Sequence, residues 1–366
     1  MRILELIPSL SVGGAERIVG LLAQGLSSLG HQVQVVALGP ATGSFIEQQL
    51  HAQGVQTTFL DKGPGFDPRV IPRLARTLRR FRPEVVHTHL HTLKYLLAAR
   101  PQGPHGAVLH TLHNLAEHEA ESHDRRVAAL AFRLGVKPVA IGEAVARSMQ
   151  QVYGRPPAFT IANGIPVADF APAPGLRQTR RQELGLPDGR LVLLSAGRLN
   201  PQKDPLSLVE ALADPRLQSL DLELLLAGEG ELHEAVQERI RDLGLGARVR
   251  LLGVRRDIPA LMAAADAFVL ASRYEGNPLV VMEAMAAGLA VLSTSVGCVP
   301  ELIDDRTGLL VPPGSVPDLA AGLARLAADP AGTRAMGYEG TRRAHERFDV
   351  SLMAAAYARA FEEVRR

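Results

Sequence analysis

Ile3-Leu4-Glu5-Leu6-Ile7-Pro8, followed by Ser11-Val12-Gly13-Gly14-Ala15-Glu16-Arg17, is the stretch whose reading decides the fold. A short apolar run closes in a two-glycine turn and an amphipathic segment opens directly after it. That is the order of a buried strand, a tight turn and a helix. An apolar run this short reads as a strand and not as a signal peptide, so secretion is not expected. The alternation continues, with strands at Ile3–Ile7, Gln32–Leu38, Val85–Thr88, Val108–Thr111 and Pro138–Ile141 and helices beginning near Ala15, Ser44, Val70, Leu93 and Glu143. Parallel strands joined by crossover helices place the chain in the α/β class, with one doubly wound domain over 1–165.

Around Asn163-Gly164-Ile165-Pro166 the periodicity stops, and Ala171-Pro172-Ala173-Pro174-Gly175 is too rich in small and ring residues to pack as an element. A hinge is therefore expected over 166–188. A second series of strands fills 189–348, at Leu191–Ser195, Leu222–Leu226, Val249–Leu252, Ala267–Leu270, Ala290–Ser293 and Gly308–Val311. The segment 349–366 holds a last helix, Ser351–Val364, whose apolar stripe Leu352, Ala355, Ala356, Ala360 and Phe361 must bury, and it is expected to pack back toward the N-terminal domain. Two doubly wound domains facing each other would set the C-terminal ends of both sheets at a shared interdomain cleft, where ligands of open α/β sheets bind.

The chain has 366 residues, 46% hydrophobic and 21% charged, which is globular, and no apolar run is long enough to cross a bilayer. Its one cysteine, Cys298, excludes an intramolecular disulfide and a cysteine-rich zinc site, so a cytoplasmic setting fits. Residues 1–180 carry 19 Lys and Arg against 12 Asp and Glu, with ten of the twelve histidines, so the first half is the basic one. Aromatic interleaving is missing from that basic half, and nucleic-acid binding is not expected. The basic and apolar residues of 69–82 alternate at helical spacing. They read as an exposed helix, with peripheral contact to an anionic membrane as the alternative.

Three motifs carry chemistry. The Gly13-Gly14 turn aims backbone N–H groups of a helix start at an anion. In Ser195-Ala196-Gly197-Arg198-Leu199-Asn200-Pro201-Gln202-Lys203-Asp204 two cations stand at the C-terminal mouth of a strand, where they could hold a diphosphate. In Ser272-Arg273-Tyr274-Glu275-Gly276-Asn277-Pro278-Leu279 and on to Gly288, Asn277 reads as an N-cap, Pro278 as the first helical residue and Gly288 as the closing residue. Glu275 and Glu283 then flank the positive pole of that helix at different depths.

Glu275 and Glu283 with seven residues between them, Gly276, the run Glu283-Ala284-Met285-Ala286-Ala287-Gly288, Gly197-Arg198 with Lys203, Val299-Pro300-Glu301 and Thr307-Gly308-Leu309-Leu310 together resemble the retaining glycosyltransferase family 4. The resemblance runs the length of the chain. It implies the GT-B fold of two Rossmann-like domains, a nucleotide-diphosphate-sugar donor and a hydroxyl acceptor, glycan or lipid-linked, in polysaccharide, glycolipid or cell-envelope glycan synthesis. It implies that Arg198 and Lys203 grip the diphosphate, that Glu283 binds the ribose, and that Glu275 binds the transferred sugar. Backbone near Gly276, Asn277 and Leu279 would contact sugar or phosphate; Pro278 has no N–H to offer. Gly13, Gly14 and Gly197 would lie beside the diphosphate, and Gly228, Val254 and Arg255 would wall the base. Cys298 stands where the second glycine of a Gly-Gly pair is expected. His113 matches a histidine beside the reacting carbon. Transfer with retention and without a metal cofactor is implied as well.

No Asp-x-Asp pair occurs in the chain, and the histidines at 113, 118 and 123 do not share one helical face, so no metal site is expected. Two other readings stay open: a nucleotide-sugar epimerase on the same fold, and a catalytically silent nucleotide-sugar-binding protein. A dinucleotide-dependent enzyme is disfavoured because the G-x-G-x-x-G fingerprint is missing.

Overall fold

The computed structural model describes residues 1–366 apart from Val12, 103–105, Ala120, Pro172, Pro174 and Arg366. Val12 of the glycine turn and two prolines of the expected hinge thus lie outside the described residues. The chain divides into two compact units, Met1–Gly164 with Val350–Arg366, and Ile165–Asp349.

The first unit is built on seven parallel strands: β1 (Arg2–Ile7), β2 (Gln32–Ala37), β3 (Gln56–Phe59), β4 (Val85–His89), β5 (Ala107–Leu112), β6 (Lys137–Ala140) and β7 (Phe159–Thr160). Their order is β3-β2-β1-β4-β5-β6-β7, so the direction of winding reverses between β1 and β4. Covered on both faces, β1 is buried from Ile3 to Ile7, including Glu5. The edge strands β3 and β7 escape a reading by hydrophobic period. Gln56-Thr57-Thr58-Phe59 is polar and half-exposed, and β7 has two residues.

The last helix, Val350–Arg365, belongs to this unit and packs on the helix Gly14–Ser28. The approach is close: a Cβ on Gly25 would stand 2.6 Å from Ala354 Cβ. Its buried face is Met353, Ala354, Tyr357, Ala360 and Phe361, whereas Leu352 is 47% exposed. The stripe is thus turned from the one read in the sequence, because the 353/357/361 spacing puts the larger side chains inward.

The second unit carries β8 (Leu191–Ala196), β9 (Leu222–Ala227), β10 (Val249–Leu251), β11 (Ala267–Leu270), β12 (Ala290–Thr294) and β13 (Gly308–Val311), ordered β10-β9-β8-β11-β12-β13. Its reversal lies between β8 and β11. The stretch 166–188, expected as a hinge, is folded into this unit. Its helix Leu176–Glu183 is moored by Arg181, which donates to the carbonyls of Ala264 (3.1 Å), Pro187 (2.9 Å) and Arg190 (2.7 Å), and by Arg177, which reaches Asp266 at 2.5 Å. Guanidinium–carbonyl bonds leave no apolar period in the sequence, which is why the segment looks like linker. The chain changes unit at Gly164 and Ile165. There Ile165 N donates to Phe348 O at 2.8 Å within the second unit, and Gly164 N lies 3.2 Å from Met353 Sδ within the first.

Candidate active site

At the reversal point of the second sheet, β8 runs into Gly197-Arg198 and β11 runs into Ser272–Gly276. Because the two strands are hydrogen-bonded neighbours, their exit loops meet. Arg273 N donates to Gln202 O at 2.7 Å and Gln202 Nε2 to Tyr274 O at 3.1 Å. Arg273 Nε donates to Asp204 Oδ2 at 3.0 Å, while Asp204, in the left-handed region at φ 47°, caps the helix Pro205–Ala211 and accepts from Ser207 Oγ. This stitching carries Lys203 onto Glu275: Nζ stands 2.5 Å from Oε1, which also accepts from Ser272 Oγ at 2.6 Å. The carboxylate is 6% exposed and the ammonium-bearing chain 22%. Two residues read separately in the sequence, one for phosphate and one for sugar, form one ion pair.

Arg198 is exposed, and its guanidinium makes no hydrogen bond or ion pair among the described residues. It borders a small crevice with Ser195, Gly197, Lys203, Leu208 and Leu270. The next two strand exits fasten to this rim. Gly197 N donates to Ala227 O (2.9 Å), Leu199 N to Glu229 O (3.0 Å) and Gly228 N to Gly253 O (2.8 Å). Gly228 has φ +147°, and a Cβ there would fall 1.8 Å from Gly197 O, so only glycine lets the β8 and β9 turns touch. Beyond β10, Val254 stands 70% exposed and Arg255 is clamped to Asp257 at 2.8 and 2.6 Å.

The helix after Glu275 spans Leu279–Ala286, with Pro278 as its N-cap and not Asn277. Pro278 keeps an extended ψ of 116°, which moves the first helical residue to Leu279. At the other end Gly288 N reaches Met285 O (3.0 Å) and Leu289 N reaches Ala284 O (2.9 Å), the paired bonds of a Schellman motif, with Gly288 at φ +79°. Glu283 is 3% exposed on this otherwise apolar helix. Gly276 O accepts from Cys298 N at 2.9 Å. A Cβ on Gly297 would stand 1.9 Å from Glu275 O, whereas Cys298 sits at φ −86°. Contact with the 275–276 backbone therefore demands glycine at 297 and tolerates a side chain at 298.

In the first unit Gly13 precedes the helix Gly14–Ser28, and beyond its chain neighbours and its own helix backbone a Cβ on Gly14 would meet no atom within 4 Å. His113, at the end of β5, joins a buried chain. His113 Nε2 lies 2.8 Å from His89 Nδ1, and His89 Nε2 lies 2.8 Å from Glu5 Oε2. A second arm runs from Glu5 Oε2 to His87 Nδ1 (2.9 Å), from His87 Nε2 to Thr111 Oγ1 (2.7 Å) and on to the Tyr357 hydroxyl (3.0 Å). Burial would raise the Glu5 carboxyl, but the charge and bonds of His87 and His89 outweigh it and bring the group down to about 2. Burial, with the charge of His87, lowers His89 to about 4, and burial with the neighbouring rings takes His113 well below the ordinary imidazole range. Burial pushes Glu119, which accepts from His113 N at 3.0 Å, up to about 8.

Glu5, His87 and His89 also place potential ligand atoms within 4.8 Å of one another, a juxtaposition across β1 and β4 that no helical spacing reveals. Ligands about 2.0–2.1 Å from a tetrahedral zinc stand roughly 3.3 Å apart. The 2.8 Å separation of His89 Nε2 from Glu5 Oε2 fits a hydrogen bond better.

A family model described as Glycosyltransferase Family 4 matches residues 12–169, and one described as Glycosyl transferases group 1 matches 177–343. The UDP-Gal:alpha-D-GlcNAc-diphosphoundecaprenol alpha-1,3-galactosyltransferase of Escherichia coli is 30% identical over 70% of this chain and 69% of its own length. The chain belongs to glycosyltransferase family 4. A D-inositol 3-phosphate glycosyltransferase of Kineococcus radiotolerans is 35% identical to this family 4 glycosyltransferase over 56% of the chain, which spans about half, 52%, of that relative. The crystal structure of Anabaena HepE in complex with UDP-glucose superposes with a TM-score of 0.87 at 24% identity, covering 99% of this chain and 100% of that one. Its likeness, with the two parallel sheets, makes the fold GT-B.

The sequence motifs of this family 4 member did not disclose Asp204, Arg273, Gln202 and Ser272 as the residues that hold Lys203 and Glu275 together. The signal was limited to their adjacency to the motif residues. Glu5 and Tyr357 were silent for a different reason: their partners are brought by neighbouring strands and by the last helix.

Proposed function

We propose that this glycosyltransferase moves a hexose from a nucleoside-diphosphate sugar to a hydroxyl of a glycan or lipid-linked acceptor, with retention at the anomeric carbon and no metal cofactor. The observation that carries the reading is the Lys203–Glu275 pair beside the unengaged Arg198 at the β8–β11 reversal. Ligands of open α/β sheets bind at such reversals. The two cations neutralise the diphosphate as the sugar–oxygen bond breaks. The departing phosphate oxygen takes the proton of the acceptor hydroxyl, whose oxygen forms the new bond on the same face of the sugar. Glu275 accepts hydroxyls of the transferred sugar and Glu283 those of the ribose. The exposed Val254, with Arg255, flanks the base. Within the second unit the backbone of Gly197, Gly276, Asn277 and Leu279 lines the donor; within the first unit Gly13, Gly14 and His113 are the substrate-binding residues. The E. coli relative, named for a UDP-Gal donor and a diphosphoundecaprenol-linked acceptor, supports a lipid-linked acceptor here.

Turnover of a panel of UDP-, GDP- and ADP-sugars with EDTA present, and NMR of the product anomer, test the reading. Inversion, or strict dependence on a divalent ion, overturns it. Glu283→Gln is expected to weaken donor binding about tenfold in calorimetry, the loss of one charge-assisted bond, while the sugar-free nucleoside monophosphate shows the same ratio. Unchanged affinity removes Glu283 from the ribose.

Membrane contact, if made, is electrostatic. The helix Val70–Phe81 spends Val70, Leu74, Ala75 and Leu78 on the core of the first unit and leaves Arg76, Arg79 and Arg80 exposed. No helix among the described residues is long and apolar enough to cross a membrane. Sedimentation with anionic liposomes is therefore expected to fall steeply between low and physiological salt. Salt-independent binding would point to an inserted apolar face instead.

A further inference from the structure

The buried chain that ends at His113 has a direction, and the direction can be worked out proton by proton. Glu5 is ionised, so both its oxygens only accept. His89 Nε2, 2.8 Å from Glu5 Oε2, must therefore carry the proton of that bond. A neutral imidazole has one N–H, which leaves His89 Nδ1 as an acceptor. Its partner at 2.8 Å is His113 Nε2, which must then be the donor. In the second arm the Tyr357 phenol, held protonated by burial, donates to Thr111 Oγ1 and Thr111 donates to His87 Nε2, while His87 Nδ1 stands 2.9 Å from Glu5 Oε2 without a hydrogen bond to it.

The surroundings do not offer another source of that proton. Glu119 bonds the backbone N of His113 and not its ring, and His110 is engaged with Thr88 Oγ1 at 2.9 Å. His113 Nδ1 has no hydrogen-bond partner among the described residues. Half-buried at the C-terminal end of β5, it is the open end of the Glu5–His89–His113 arm; Glu5 Oε1 and His87 Nδ1, also without a hydrogen bond, are sealed in the interior.

We infer that Glu5 and His89 are positioning residues that lock His113 in its Nε2–H tautomer and so present Nδ1 as a fixed acceptor for a substrate hydroxyl. The inference rests on the proposed function for the substrate that His113 meets. It assigns His113 a neutral, accepting role toward a sugar or acceptor hydroxyl and no role as a cation toward phosphate. Glu5, fully buried on β1, supplies the fixed charge that orients both rings.

The test is ¹⁵N–¹H correlation of the side chains in histidine-labelled full-length protein at neutral pH, with His113 identified by its loss in His113→Gln. The expected result is a proton on His113 Nε2 and an unprotonated Nδ1; a proton on Nδ1, or an imidazolium, overturns the inference. One equivalent of zinc in the same sample would also overturn it, because the metal would displace the proton from His89 Nε2. In Glu5→Gln the His113 signals are expected to show both tautomers, with kcat lowered about tenfold and donor KM within about twofold. An unaltered tautomer with unaltered kcat overturns the positioning role. Should Glu5→Gln not fold, the parent spectrum still decides. A parent that transfers sugar from no donor fails the proposed function; a wrong tautomer fails this inference alone.

Discussion

Lys203→Ala is expected to lower kcat/KM for sugar transfer by about two to three orders of magnitude, the range seen when one preorganised group that meets developing charge is removed. Fold loss is not the cause. Glu275 keeps its 2.6 Å bond from Ser272, and the 198–204 loop keeps Gln202–Tyr274, Arg273–Asp204 and the Arg273 N–Gln202 O bond. The variant nonetheless leaves a nearly buried carboxylate without its counter-ion, which costs on the order of 1–3 kcal/mol. Adding Glu275→Gln to Lys203→Ala should return most of that stability and none of the activity. Steady-state kinetics on the single variant and thermal unfolding on both separate the two effects. Near-parental turnover in Lys203→Ala would remove the cation from the reaction, and stability that is not recovered in the double variant would remove the ion pair from the fold.

Gly228→Ala is expected to be the most damaging small substitution in the second unit. Its Cβ would fall 1.8 Å from a backbone oxygen, Gly197 O, at a φ of +147° that L-residues rarely adopt. Relief requires the β8 and β9 exits to part, breaking Gly197 N–Ala227 O and Gly228 N–Gly253 O together. A loss of roughly 3 kcal/mol or more follows from strain of this kind, or about 6–12 °C in the melting of a unit this size. Donor affinity should fall with it, since the displaced carbonyls carry Arg198. Gly14→Ala is the contrast: beyond its chain neighbours and its own helix backbone no atom lies within 4 Å of the new methyl, so melting should move by no more than about 2 °C. Equal melting temperatures for Gly228→Ala and the parent would show that the two turns do not touch.

The α/β class and eleven of the thirteen strands among the described residues were legible because each rests on local chemistry. A short apolar run rich in Val, Ile and Leu and bounded by turn residues reads as a strand, and Gly197-Arg198 and the 275–288 segment keep their spacing regardless of packing. What stayed hidden depends on partners far away in sequence. Glu5 looks like a polar interruption in an apolar strand until parallel register sets it opposite His87, with His89 two residues on. Tyr357 reaches Thr111 across 246 positions. The 166–188 segment failed as a linker because arginine–carbonyl bonds, unlike apolar stripes, carry no period. Pro278 misled by a single residue: its ring suits the first helical turn, yet an extended ψ of 116° serves equally well at the cap. Lys203 and Glu275 were each recognised from the motif, but their pairing needed the adjacency of β8 and β11, which no spacing within one loop encodes.

The central claim is that side-chain cations at the second sheet's reversal point do the work of a divalent ion for a nucleoside diphosphate. Titration calorimetry of UDP, GDP and ADP into the full chain in excess EDTA tests it directly. One of the three should bind at one equivalent, and Arg198→Ala with Lys203→Ala should abolish that heat. Binding that appears only when magnesium or manganese is added, or that survives the loss of both cations, would contradict the account.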